Sequence, residues 1–285
     1  MSNIIELSDF QNSFTDIDGI TQFIYDLNSC KYKNDSINCL FKNLNKLFII
    51  FRDKLSKENK EIILDNNSNV AVQGLNPFYK KAGKDVVYLG LTKYEKKNKN
   101  KLDTYIHELT HFIDLMVGYI TTSDMNYYSD NSCLSQLINR ENRFKKLPPI
   151  IYQYFCQFDD FNKYNIIDYE SDVLKNPSLY KYGPLMDVLD ALSLGCFFNN
   201  FMKNKSNKSK EEIVIYGHGI ATYCGMNPNK ISNNTNREIF ANYVAMSITS
   251  ENCIDLLKSE LEIVYNKIIC FCIEINKRIE DICKT

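Results

Sequence analysis

Residues 101–118, KLDTYIHELTHFIDLMVG, constrain this chain more than any other stretch. They carry His107, Glu108 and His111 in the order H-E-x-x-H. Helical positions four apart lie on one face, one turn above another. Two imidazoles so placed both reach one ion at Zn–N distances of about 2.0–2.1 Å. Glu108 projects beside that face, where a carboxylate can take the proton of an attacking water. Tyr105, Ile106, Leu109, Phe112, Ile113, Met116 and Val117 recur at three-to-four spacing and predict a helix with a buried side. Asp103 is the expected N-cap and Gly118 the expected stop. The chain has only three histidines, and two of them are spent on this one face.

The rest of the composition narrows the function class. Hydrophobic residues make up 44% and charged residues 24%, as in a globular protein. A formal net charge of −1 gives no reason to expect nucleic acid or an anionic membrane as partner. The first residues, MSNIIELSDF, hold Glu6 and Asp9 and lack a basic segment followed by an apolar one, so no signal peptide is expected. No run approaches the ~18 apolar residues of a membrane span. A cytoplasmic location in the producing cell follows as the expectation, with virion association or non-classical export left open. The ten cysteines include no C-x-x-C pair, and Cys270 and Cys272 are one residue apart. That spacing argues against a zinc ribbon and for reduced core thiols.

Two helices are expected before the motif. Ile20, Phe23, Ile24 and Leu27 form a short apolar stripe, and Ile37 to Leu55 a longer one begun by Asp35 or Ser36. NVAVQGL and DVVYLGL then read as two strands joined through NPFYKKAGK, a hairpin ending about ten residues before the metal helix. A strand edge there could hold an extended peptide by β-augmentation. KYEKKNKNK is a basic polar connection.

After Tyr119 the periodicity weakens, with short helices expected at 131–143 and 150–158. PLMDVLDALSLG is a helix opened by Pro184 and closed by Gly195. Asp187 and Asp190 lie three apart on it, placed either to orient a metal-binding histidine or simply to face solvent. In YGHGIATYCG, His218 stands between two glycines, with Tyr223 five residues on. Either His218 or Tyr223 could donate to the oxyanion of a tetrahedral intermediate.

A catalytic zinc takes three protein ligands and keeps a fourth position open. Glu238 is the preferred third ligand. It lies on a helix expected over 233–250, where Ala241, Asn242 and Ala245 give a small-residue face that another helix can approach. Thr235-x-x-Glu238 also fits a capping box, which would leave Glu238 a purely local role. His218 and Asp114 compete for the same position. Asp114, seven residues after His107, suits an outer position beside the ion better than a ligand corner, because ligands from one helix crowd one side. A last amphipathic helix is expected over Ile254–Cys283.

H-E-L-T-H followed by R-E-I-F-A-N resembles the gluzincin branch of zincin metallopeptidases. Four pieces, V-Y-L-G-L, H-E-L-T-H-F-I-D, D-A-L-S-L-G with G-H-G-I-A-T-Y, and R-E-I-F-A-N, also resemble zincin-type domains of phage and prophage head proteins and toxin-like peptidases. The resemblance implies His107, His111 and Glu238 as ligands and Glu108 as base. This chain departs from the pattern at Thr110, where glycine is common, and at Asn242, where gluzincins often carry aspartate. An amide at Asn242 can still accept a hydrogen bond from a ligand histidine.

The expectation is thus an α+β, zincin-like fold, mostly helical with a small sheet packed against the metal-binding helix. It divides into an N-terminal helical region (1–67), a metallopeptidase domain (68–250) and a C-terminal helix (251–285). The expected activity is a zinc-dependent endopeptidase with one Zn2+ per chain and a protein or peptide as substrate. The alternative is a phage-type structural or assembly protein whose zinc is architectural.

Overall fold

The computed structural model describes residues 35–58, 61–64, 76–81, 84–89, 100–124, 126–134 and 234–284, together with Tyr25, Leu27, Ser29 and Val188. Its helices are α1 (Asp35–Lys42), α2 (Leu44–Lys57), α3 (Asn100–Thr122), α4 (Asn234–Thr249), α5 (Glu251–Glu260) and α6 (Glu262–Lys284). Three short strands, β1 (Glu61–Leu64), β2 (Asn76–Lys81) and β3 (Lys84–Leu89), lie between α2 and α3 in sequence.

The first long apolar stripe forms two helices, because the chain breaks at Asn43 (φ −103°, ψ 13°). The stripe survives the break. Leu40, Phe41, Leu44, Leu47, Phe48, Phe51 and Leu55 are all buried. Phe51 of α2 meets Phe112 and Tyr119 of α3 edge-on, at centroid separations of 5.9 and 5.4 Å, and Phe48 meets Phe112 at 5.8 Å. Such pairs contribute roughly 0.5–1.5 kcal/mol each beyond the area they bury. Lys54 of α2 adds a polar anchor, donating to the carbonyl oxygens of Tyr119 (3.1 Å) and Ile120 (2.9 Å).

The α+β, zincin-like class with a small sheet packed against the metal-binding helix is overturned. The described chain is overwhelmingly helical, and α3 packs on helix α2 and on the turn that follows it. The strands run in the order β1-β3-β2, and the main helix neighbour of the sheet is α2, reached through β1. The strand positions also differ from expectation. β2 lies on NPFYKK, expected as the connection, while NVAVQGL falls outside the described residues. Pro77 explains how this segment can still pair: β2 is an edge strand, and its register shifts between Asn76 and Tyr79. A proline lacking an N–H is tolerated at such an edge or irregularity. β1, which pairs in parallel with β3, was not expected.

By Cα packing the chain forms two compact units. One holds the described residues up to Asn131, the end of α4 from Ser247 to Thr249, and α6 from Ile269 onward. The other holds the described residues from Ser132 to Met246 and from Ser250 to Ile268. In the second, Tyr243 and Tyr265 meet edge to face at 6.3 Å. The expected single C-terminal helix is broken at Leu261 (φ −133°, ψ 49°) into α5 and α6. Among the described residues Cys133, Cys270, Cys272 and Cys283 are free thiols. Burial pushes the Cys272 thiol up, which makes it inert. No helix among the described residues is long and apolar enough to cross a membrane.

Candidate metal centre

Helix α3 begins at Asn100 and runs to Thr122, so Asp103 sits inside its first turn and Gly118 inside its last turns. Neither is the boundary expected. From Tyr105 to Tyr119 every residue is buried except Glu108. An apolar stripe alone does not produce this, since Thr110 and Asp114 are fully buried as well. Both find partners. Thr110 returns its hydroxyl to the Ile106 carbonyl at 2.7 Å, which satisfies it inside the helix.

His107 and His111 are 6% and 8% exposed, and their Nε2 atoms face each other at 3.0 Å. Their rings are perpendicular, with centroids 4.6 Å apart. Two nitrogens on one tetrahedral zinc are ~3.3 Å apart at ordinary Zn–N distances, so this pair is close to the bite an ion needs. Glu238, 2% exposed, completes the group. One ligand atom from each of His107, His111 and Glu238 lies within 4.8 Å of the others. This buried cluster could hold a metal ion. Two imidazoles and a carboxylate are the donor set of an open catalytic zinc site, so the residues fit that ion chemically.

Helix α4 matches the stretch expected for it to within a residue at each end. Because it starts at Asn234, Thr235 is already inside the helix, and the capping-box frame does not apply to Glu238. The small residues Ala241 and Ala245 are buried, and Asn242 is half-buried one turn beyond Glu238.

Asp114 is occupied elsewhere. Its Oδ1 accepts the Ser129 backbone N–H at 2.8 Å, and its Oδ2 accepts the Ser129 hydroxyl. Burial pushes its pKa up to about 6, with the Ser129 hydrogen bonds and the nearby His111 pulling it down and Asp130 raising it. It therefore lies within electrostatic reach of the centre, but its carboxylate is engaged by a backbone turn. His218, Tyr223 and Asp190 lie outside the described residues, as do all but residues 131–134 of the helix expected at 131–143 and the whole of that expected at 150–158. In the helix expected after Pro184, Val188 is described, and it is helical and buried.

Sequence reasoning missed the segment that follows α3. Ser123 takes a positive φ of 64° and reverses the chain. The turn then passes so close over α3 that a Cβ at Gly118 would stand 2.0 Å from the Asn126 oxygen and 2.7 Å from the Tyr128 nitrogen. A glycine in the middle of a helical apolar pattern was the available signal of such close approach. The turn brings Tyr127 edge-on to His111, with centroids 6.2 Å apart and ring planes at 84°. No protein-family model, curated protein or solved structure matches this chain significantly.

Proposed function

We propose that this chain is a zinc-dependent endopeptidase of gluzincin type, acting on a protein or peptide. The observation that carries the proposal is the pairing of a buried His107–His111–Glu238 cluster with a half-exposed Glu108, the one residue between Tyr105 and Tyr119 that reaches the surface. A zinc ion held there would supply the Lewis acid that polarises a scissile carbonyl and the means to lower the pKa of a water to about 7.

The residues of the chain do the remaining work. His107 and His111 hold the ion from one helical face, and Glu238 holds it from α4. Glu108 takes the proton of the attacking water at its carboxylate and delivers it to the leaving nitrogen. His218 or Tyr223 would donate to the oxyanion. Burial of the ligands keeps bulk water away and strengthens each of these interactions.

A second reading, an architectural zinc in a phage-type assembly protein, draws on the same burial, since the three ligating residues are nearly closed to solvent. Proteomic mapping of new termini separates the two. Incubation of a proteome with wild-type protein should create termini that Glu108→Gln protein does not. One zinc per chain with no new termini from the wild type would favour the architectural reading and reject the peptidase.

A further inference from the structure

The turn after α3 is tied down from several directions, and it carries one ring against His111. Ser129 gives both its N–H and its hydroxyl to Asp114, and both residues are fully buried. Within the turn, Tyr127 donates its N–H to Asp130 Oδ2 at 3.2 Å, and Asp130 returns its own N–H to the Tyr127 carbonyl at 3.1 Å. Gly118 lets the backbone of residues 126–128 rest directly on α3. On its other side Tyr128 stacks on Phe271 of α6 at 6.1 Å and donates its hydroxyl to Glu274 at 2.6 Å. A segment fixed so densely is not a simple connection. What it holds in place is Tyr127, 8% exposed, against the His111 ring.

The His111 imidazole meets two rings, each nearly perpendicular to it: His107 at 4.6 Å and Tyr127 at 6.2 Å. An imidazole rotates broadly about its last side-chain torsion unless something restrains it. Edge-to-face packing restrains it, since tilting either ring loses the favourable quadrupole contact. A ligand histidine held at the correct angle binds its ion without first losing that rotational freedom. The same logic makes outer groups that orient ligand histidines matter to metal affinity by roughly 10–100-fold.

We infer that Tyr127 is a positioning residue for His111, held by the Asp114–Ser129 clamp, and that the packing of its ring on His111 raises the metal affinity of the centre. This rests on the metal-centre reading above. The experiment compares zinc affinity by competition with a chromophoric chelator, and the visible spectrum of cobalt(II)-substituted protein, across wild type, Tyr127→Phe, Tyr127→Leu and Ser129→Ala. Tyr127→Phe should match the wild type in both. Tyr127→Leu should lose about tenfold in zinc affinity and change the cobalt spectrum. Ser129→Ala, which keeps the backbone tie, should shift both measures in the same direction by less. A Tyr127→Leu protein within twofold of wild-type affinity and with an unchanged spectrum overturns the inference. So does a Tyr127→Leu protein that fails to fold, when Ser129→Ala behaves as wild type in both measures. Wild-type protein that binds neither zinc nor cobalt would reject the metal centre itself, a different outcome from either.

Discussion

The Nε2 atoms of His107 and His111 face each other at 3.0 Å across one turn of α3, closer than an ordinary packing contact between two imidazoles requires. Each nitrogen needs either a shared proton or a common ion. Removing one side of the pair therefore removes the site. His107→Ala and His111→Ala should each abolish zinc retention under mild chelation, and Glu238→Ala should weaken zinc binding strongly. Asp114→Ala should do so less, because the carboxylate of Asp114 is engaged by Ser129. Elemental analysis and chelator competition check the set. Wild-type affinity in Glu238→Ala together with loss in His218→Ala would replace the assignment with a three-histidine site.

Glu108 should prove chemical and not structural. Glu108→Gln keeps the shape and the half-exposed position, so zinc content and melting temperature should stay near wild type. Peptide hydrolysis should fall by roughly 10²–10⁴-fold, the usual contribution of general-base assistance. Turnover measured on a cleaved peptide checks it, and an unchanged rate would contradict the mechanism.

Gly118 supplies a test of opposite sign to the ordinary rule. Glycine to alanine inside a helix normally stabilises by about 1 kcal/mol. Here the new Cβ would meet the Asn126 oxygen at 2.0 Å. Gly118→Ala should instead destabilise by about 1–3 kcal/mol, as overpacking does, read from the midpoint of urea unfolding. A stabilised variant would mean that the turn does not rest on α3.

Asp103 links stability to pH. Burial pushes its pKa from 3.8 up to about 6, although the Thr249 hydroxyl, donating at 3.1 Å, pulls it down. A raised carboxylate pKa means that folding takes up a proton, so this stabilisation is complete below pH 3.8 and is lost as pH rises through about 6. Asp103→Asn keeps an oxygen for Thr249 and removes the titration. Relative to wild type it should gain stability on the order of 1 kcal/mol between acid and neutral pH. Denaturant midpoints measured across that range check the prediction, and a wild-type pH slope retained in Asp103→Asn would refute it.

What the sequence made legible follows the periodicity of its helices. The apolar residues of 105–117 and 37–55 recur at helical spacing and both stretches are helical, the second broken at Asn43, and the stretch expected at 233–250 is helical as well. Residue type at fixed spacing pairs His107 with His111, whereas Glu238 is preferred from the small-residue face of its helix and from the resemblance, with His218 and Asp114 competing. Boundaries were less legible. Asp103 and Gly118 have the chemistry of caps, yet tertiary contacts put both inside α3. The β3 strand lies on DVVYLGL as expected, but NPFYKK reads as a connection because Pro77 argues against a strand, and it pairs only as an irregular edge. The Tyr127–Ser129 turn carries no periodic signal. Its position is decided by the buried Asp114, which lies fifteen residues before Ser129.

Lys54 closes the far end of α3 from a different helix, with its ammonium on two carbonyls of the last turn and 5.3 Å from the centre of the Tyr119 ring. Carbonyls at a helix C-terminus concentrate negative charge and favour a cation, although here the Tyr119 carbonyl also accepts the Ser123 N–H at 2.9 Å. The residue that answers them is made 65 residues earlier than Tyr119. The metal-binding helix is thus no autonomous folding unit. A peptide covering it alone would fray at the end that Lys54 secures, because the side chain that holds its last turn belongs to α2.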